Sequence, residues 1–515
     1  MVHKQAGAAW HFSCITLNPK RILFSQLLQF LHMNKLILSA GLAFSLCTLS
    51  QCATNPVTGK RQVALISEEQ EVAMGREADP AIVAQYGLYE DKDLQAFINE
   101  KGKQMGAISH RPNLDYQFRI VNSEVLNAFA VPGGYVYFTR GIMAHFNSEA
   151  DFAGVLGHEI GHITARHSVQ QQSRQVLGQI GLVGAMILSP TVAQYGQAAQ
   201  QGLGLLFLKY GRDAERQSDE LGVEYSSKIG YDARQMAQFF QTLQRQSQAS
   251  GAQELPDFLS THPNPGDREV TVQRLATQWQ QRNNATNLQV NRNAYLRRID
   301  GIVFGEDPRE GFRENGIFYH PTLRFQFATP TGWRYQNTPQ AVQLAEPNGN
   351  ALMIFTLAPG SDLRSAAQQA LQKYSLQAIE SRDVQVNGFP ALAVVADQVA
   401  QQGQQQQQAI RTLNYFIQDG NTIYHFIGVS APAGFNNYAS LFNNTFQSFQ
   451  RLTDASKLNR QPQRVRIRTA NSNTTLAAAL RSQGMPEARM NELAILNGMQ
   501  LNDNLPAGTL YKIVQ

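Results

Sequence analysis

Two histidines set four residues apart enclose an acidic residue in the run His158-Glu159-Ile160-Gly161-His162. On a helix of 3.6 residues per turn the imidazoles project from one face, and Glu159 is offset just enough to reach a water beside them. That layout suits a zinc hydrolase. Catalytic zinc takes three protein ligands and leaves a fourth position open, where the pKa of a water drops toward roughly 7 and a nearby carboxylate can take its proton.

Such chemistry needs a buried platform. Asn147-Ser148-Glu149 offers an N-cap, and Ala150, Phe152, Ala153, Val155, Leu156 and Ile160 describe a helix buried on most sides. The bland alternative is a chance match on a solvent-facing helix. So apolar a helix argues against it, because polar groups buried on it need partners.

A third ligand must come from elsewhere, and the segment 211–222 (GRDAERQSDELG) is the best source. Glu215 and Asp219 are four apart and share a helical face, so one can bind zinc while the other accepts the free N–H of a ligand histidine. Glu215 is assigned as the ligand and Asp219 as the orienting carboxylate. Read by charge alone, the segment is a surface helix. His167, five residues beyond His162, falls about 140° further round the helix and should miss the metal as a structural or supporting residue. His145 is expected to be structural.

This motif pair resembles the gluzincin metallopeptidases that include the CAAX prenyl proteases, HtpX and BepA. Two further stretches carry the resemblance: Asn127-Ala128-Phe129-Ala130-Val131-Pro132-Gly133-Gly134, and Ser260-Thr261-His262-Pro263-Asn264-Pro265 with Arg268. Gly211 departs from the serine usual before the arginine. The resemblance implies that Asn127, Ala128, Phe129 and Ala130 form an edge strand that binds substrate by backbone pairing. It also implies that His262 is a fourth or regulatory zinc ligand. Arg212 or His262 is expected to support the oxyanion of the transition state.

A chain of 515 residues, 43% hydrophobic, can bury several cores, and one domain per ~150 residues suggests about three. The net charge of +5 misleads, because residues 1–51 hold Lys4, Lys20, Arg21 and Lys35 and no acid. Without them 40 basic residues face 39 acidic ones, which gives no argument for a nucleic-acid partner. Cys14, Cys47 and Cys52 all lie near the N-terminus, excluding a disulfide framework or a cysteine zinc site in the body of the chain. Residues 1–32 read as an upstream extension and 33–51 as a lipoprotein-type signal peptide. Leu49-Ser50-Gln51-Cys52 resembles a lipobox with Gln51 in place of the usual small residue. Lipidation would fall on Cys52, with simple secretion as the alternative, and Ala53 in place of an aspartate would favour the outer membrane in a cell with two membranes.

The expected architecture is multidomain. Residues 52–302 form a mainly α-helical zincin protease domain with a small β-sheet. Its apolar stretches 176–188 and 202–208 are shorter than the roughly 18 residues needed to cross a bilayer and read as a packed hairpin. After the polar connector 305–311 comes an α+β domain, 312–455, resembling the PsbP and Mog1 type. In it Leu323, Phe325 and Phe327 alternate, Asn348-Gly349 turns a hairpin, a helix covers 365–379, and 404–408 is a glutamine loop. His320 and His425 are read as structural. Residues 463–515 give a small βααβ module resembling LysM, which implies binding of N-acetylglucosamine-containing glycans. Asn471-Ser472-Asn473 replaces the usual Gly-Asp.

Together these features predict a zinc metalloendopeptidase of the bacterial cell envelope, with one Zn2+ per chain held by His158, His162 and Glu215. Glu159 is its base. Partners would be protein or peptide substrates, including misfolded or outer-membrane proteins, peptidoglycan through residues 463–515, and the membrane through a lipid anchor. The competing readings are a chaperone-like assembly factor that rarely cuts, and a glycan-anchoring protein.

Overall fold

The computed structural model describes residues 52–173, 210–249, 258, 261–262, 265–398 and 410–515. The signal region 1–51, the apolar stretches 176–188 and 202–208 and the glutamine run 404–408 lie outside the described residues. Two units are present. In one, strands β1 (Cys52–Thr54) and β2 (Arg61–Val63) pair antiparallel, with Cys52 opposite Val63. The other, residues 55–59 and 66–515, holds all the elements below, several sheets and many helices.

Its first part is mainly helical: α1 (Glu68–Tyr86), α2 (Lys92–Ala107), α3 (Arg140–His145), α4 (Glu149–Thr164), α5 (Arg212–Lys228), α6 (Arg234–Ala249), α7 (Pro265–Arg282) and α8 (Arg292–Arg298). A three-stranded sheet accompanies them. Strand β3 (Gln117–Val121) runs parallel to β5 (Tyr135–Thr139), and β4 (Ala128–Val131) pairs antiparallel with β5 on the other side, so β4 is an edge. Asn127 stands one residue before this strand rather than in it.

Helix α4 runs through the core, with every residue from Glu149 to Thr164 buried. Its cap is Ser148, whose hydroxyl accepts the Asp151 N–H, satisfying one donor that the first turn leaves free. Helices α4 and α5 cross at glycine: a Cβ on Gly157 would stand 3.0 Å from the Gly222 Cα, and one on Gly222 3.1 Å from the His158 backbone nitrogen. Only bare backbones allow this approach, which brings the i, i+4 pairs of the two helices face to face.

The helix stops at Thr164. Arg166 adopts a left-handed φ of 58°, and the chain restarts as a new helical turn at His167. Such a conformation costs a non-glycine residue about 1–2 kcal/mol. A buried ion-pair triad offsets it: Glu71 accepts Arg166 Nε at 2.8 Å and Arg111 Nη1 at 2.7 Å, while Arg111 also donates to the Ile163 carbonyl at 3.2 Å. His167 is therefore not placed by continuing the helix of His162, as the sequence reading assumed.

The middle part is α+β. A four-stranded sheet runs β16 (Gln450–Arg451), β8 (Phe325–Ala328), β7 (Ile317–His320), β6 (Phe312–Glu314). A seven-stranded sheet runs β12 (Leu376–Val386), β13 (Phe389–Gln398), β14 (Arg411–Asp419), β15 (Thr422–Ser430), β11 (Ala351–Ala358), β10 (Ala341–Ala345), β9 (Arg334–Asn337), with every pair antiparallel. Helix α9 (Leu363–Lys373) sets Ala366, Ala367 and Ala370 against Leu392, Val394 and Phe416 of that sheet. Helix α10 (Phe435–Gln447) contributes Phe442 and Phe446 to an aromatic core with Phe318, Phe325, Phe327, Phe355 and Phe426. Two expectations are corrected here. The helix expected over 365–379 ends at Lys373, because Ser375 turns left-handed at φ 53° and residues 376–386 enter the sheet edge as β12. Leu323 precedes β8 and is exposed, so only Phe325 and Phe327 of the expected alternation face the core.

At the C-terminal end β17 (Val465–Thr469) pairs antiparallel with β20 (Leu510–Val514), and β18 (Thr474–Thr475) with β19 (Asn504–Leu505). Helices α11 (Leu476–Ser482) and α12 (Met490–Leu496) lie between. This segment is not a bead on a linker. Leu476, Leu480, Leu493 and Ile513 share one continuous core with Phe146, Phe152 and Phe239. Lys512 is fully buried, and its ammonium donates to the carbonyls of Ala144 (2.8 Å), Phe146 (2.7 Å) and Leu496 (3.1 Å). Among the described residues no helix is long and apolar enough to cross a membrane.

Candidate metal centre

Helix α4 projects His158 and His162 from one face, helix α5 presents Glu215, and His262 arrives from the segment ahead of α7. Each of these four side chains offers one ligand atom, all within 4.8 Å of one another, and all four residues are buried. His158 Nε2 and His162 Nε2 are 3.0 Å apart, and His262 Nδ1 lies 3.3 Å from the first and 3.0 Å from Glu215 Oε1. Glu159 stands at the edge of the cluster, 3.8 Å from His262 Nε2.

The far nitrogens of both α4 histidines are also engaged. His158 Nδ1 meets Asp219 Oδ1 at 3.0 Å, and His162 Nδ1 meets His167 Nδ1 at 3.0 Å. Arg268 ties the carboxylates together, with Nη2 donating to Asp219 Oδ1 at 2.7 Å, Nε to Asp219 Oδ2 at 2.9 Å, and Nη1 3.1 Å from Glu215 Oε2. Its guanidinium lies 4.3 Å from the Phe240 ring centroid, so the charge is buried against an aromatic face. Tyr210 stacks on His162 at 4.0 Å, with its hydroxyl 2.8 Å from Ser168 Oγ.

Burial and charge pull these groups in opposite directions. Burial raises the Glu159 pKa above the ordinary carboxylate value, with His262 and His158 opposing it only in part. Burial also works against the charges on Glu215 and Asp219, yet His262 and Arg268 hold Glu215 below the usual value. Arg268 and the His158 hydrogen bond take Asp219 down to about 2. His162 is pushed well below the usual imidazole value, by burial first and then by the neighbouring His158 and His167. It is therefore a neutral nitrogen, as a ligand must be.

Two observations test whether these residues fit a zinc ion. Both Glu159 oxygens are buried with no hydrogen-bond partner among the described residues, a costly state unless something else faces them. Around the cluster the Glu215 and Asp219 carboxylates share the guanidinium of Arg268 and Glu159 stands 3.8 Å from His262 Nε2, so among the described residues acidic groups crowd a point that suits a divalent cation. Imidazole nitrogens and one carboxylate oxygen are the donor set zinc prefers. The residues fit.

Other expected residues fall differently. Arg212 is the first residue of α5 and is exposed, whereas the buried guanidinium beside the cluster is that of Arg268. A charge at a helix end reaches water cheaply, whereas Arg268 points inward from α7. Asn127 is buried, and the Leu126 carbonyl beside it accepts the Phe258 N–H at 3.1 Å, while the Phe258 ring stacks on His262 at 4.6 Å. The entrance to β4 thus adjoins the His262 loop. His145 Nδ1–H donates to the Gly141 carbonyl, 2.8 Å away, apart from the cluster. Tyr210, and Gln217 beside His167, carried no sequence signal, since their place depends on how α5 meets α4.

A buried pair of helix-borne histidines with a glutamate from a second helix defines a zinc-metallopeptidase class of site. Residues 90–276 match the family model of Peptidase family M48. The Beta-barrel assembly-enhancing protease of Yersinia pestis is 30% identical over 235 residues, covering 43% of this chain and 47% of that protein. The mitochondrial metalloendopeptidase OMA1 of Arabidopsis thaliana is 28% identical over 200 residues, 38% of this chain and 39% of its own length. The chain thus spans less than half the length of these relatives. Among solved structures, the Ran-binding protein Mog1p of Saccharomyces cerevisiae is 14% identical with a TM-score of 0.22, covering 28% of this chain and 99% of that one.

Proposed function

We propose that the chain is a zinc metalloendopeptidase of the bacterial envelope that cuts misfolded envelope proteins, including outer-membrane β-barrel proteins, in quality control. The carrying observation is the Glu159 carboxylate, buried beside His158, His162 and Glu215 and without a hydrogen-bond partner among the described residues. In this reading those three hold zinc, which when bound polarises a carbonyl and acidifies water. An extended substrate segment pairs with the free edge of β4. Glu159 accepts the proton of the attacking water as its oxygen bonds to the scissile carbonyl carbon. The same proton then passes to the leaving amine as the C–N bond breaks.

The test is casein or an unfolded outer-membrane protein incubated with wild type and Glu159→Gln at equal zinc content. Cleavage should fall by about 10²–10⁴-fold in the variant. Equal cleavage would reject Glu159 as the base.

A second reading is favoured by His262, whose Nδ1 stands 3.3 Å from His158 Nε2 and 3.0 Å from Glu215. A resident fourth ligand displaces the water and keeps the enzyme shut, which suits a chaperone-like factor that grips more often than it cuts. Anchoring by a lipid on Cys52 and glycan binding by residues 463–515 belong to the same proposal. Radiolabelled palmitate uptake lost in Cys52→Ser, and a peptidoglycan pull-down of the whole chain, check each.

A further inference from the structure

We infer that His167 and Gln217 form a hydrogen-bond relay that fixes His162 in its zinc-binding tautomer, making His167 a positioning residue for the metal. This rests on the reading of His158, His162 and Glu215 as zinc ligands. His162 Nε2 faces the cluster, 3.0 Å from His158 Nε2 and 3.5 Å from Glu215 Oε1. For that nitrogen to offer a lone pair, the ring must carry its hydrogen on Nδ1, and that hydrogen needs an acceptor. The atom 3.0 Å from Nδ1 is the Nδ1 of His167.

Two facing imidazole nitrogens can satisfy each other in only one of two ways. If His167 donated, His162 would be left with its hydrogen on Nε2 and could not bind a metal. The choice is made at the other end of His167, where Nε2 lies 3.0 Å from Gln217 Oε1. A carbonyl oxygen only accepts, so it draws the His167 hydrogen to Nε2 and leaves His167 Nδ1 bare. The chain of donation runs His162 to His167 to Gln217. Ser218 Oγ, 3.3 Å from the same His167 nitrogen, is a longer contact whose hydroxyl in this tautomer donates to that nitrogen.

The surroundings hold this arrangement in register. Tyr210 lies flat on His162, with an interplanar angle of 27°. The left-handed turn at Arg166, clamped by Glu71, swings His167 back against His162. The two ligand histidines are thus backed differently: His158 by the Asp219 carboxylate at 3.0 Å, His162 by a neutral relay. Gln217 and Asp219 both stand on α5, so the helix that supplies Glu215 also sets the state of both α4 ligands.

The experiment is zinc affinity of the full mature chain, by competition with a fluorescent chelator, for wild type, His167→Ala, His167→Asn and Gln217→Leu, with melting of each apo protein alongside. His167→Ala should bind zinc about 10–100-fold more weakly. His167→Asn, whose amide oxygen can stand near the lost Nδ1, should recover most of the affinity, and Gln217→Leu should fall between. Affinities within twofold for His167→Ala and wild type, or equal weakness of the Asn and Ala variants with unchanged apo melting, would overturn the relay. Should His167→Ala not fold, long-range ¹⁵N–¹H spectra of histidine-labelled apo wild type and Gln217→Leu decide instead. The relay requires His162 to be protonated at Nδ1 in wild type and mixed in Gln217→Leu. Failure of wild type itself to bind zinc would reject the metal site rather than the relay.

Discussion

His158 Nδ1 and Asp219 Oδ1 meet at 3.0 Å inside the core, and Arg268 Nη2 reaches the same oxygen at 2.7 Å. One carboxylate thereby holds the His158 ring and neutralises a buried guanidinium. With its pKa taken from 3.8 to about 2, Asp219 contributes stability that is complete above pH 3.8 and lost as pH falls through about 2. The magnitude is on the order of 2 kcal/mol. Asp219→Asn should destabilise the apo protein at pH 6, and the gap to wild type should close between pH 4 and 2 in urea titrations. A gap constant over that range would show that the shift is not carried by Asp219.

Arg268→Ala should be far more damaging than Arg212→Ala. The first leaves Asp219 and Glu215 buried without their cation, at a cost of about 3–5 kcal/mol, while the second removes an exposed charge and should stay within about 0.5 kcal/mol. Thermal melting and zinc content of both variants measure the contrast.

Gly157→Ala places a methyl 3.0 Å from the Gly222 Cα and carbonyl oxygen, and backbone cannot step aside as a flexible side chain can. The helices must separate by a few tenths of an ångström, moving Glu215 away from the histidine pair. A loss of about 1–3 kcal/mol is expected. Zinc affinity should drop as well, which titration of the folded variant would read.

His262→Ala removes the group standing where a fourth ligand would stand. Basal cleavage of an unfolded substrate should rise while zinc is retained. A fall in both would instead make His262 a structural ligand.

The site was legible wherever helical spacing alone determines who shares a face. His158 with His162, and Glu215 with Asp219, are i, i+4 pairs, and both pairs turn toward the same point. What sequence could not supply was direction across helices. Arg212 and Arg268 are equally basic in the sequence, and only the packing of α7 shows which is buried. His167 was placed by extending a helix that ends at Thr164, since a left-handed arginine at 166 has no signature of its own. In the α+β part the Asn348-Gly349 hairpin was readable from turn chemistry, whereas the helix end at Lys373 was not, because residues 374–379 carry no glycine or proline to stop it.

Lys512→Met should cost on the order of 3 kcal/mol, because the carbonyls of Ala144, Phe146 and Leu496 would lose their buried donor. A single cooperative melt shifted downward is expected, since the segments share one core. Independent melting of the C-terminal segment would contradict that coupling.

That ammonium also sets an order of events. Phe146, at the entrance to the motif helix, is separated from Lys512 by 366 positions, so its carbonyl is tethered only once the segment carrying Lys512 has docked. A contact of such long range forms late. The start of the motif helix therefore takes a brace from strand β20, so loosening that strand should loosen the helix that carries His158 and His162.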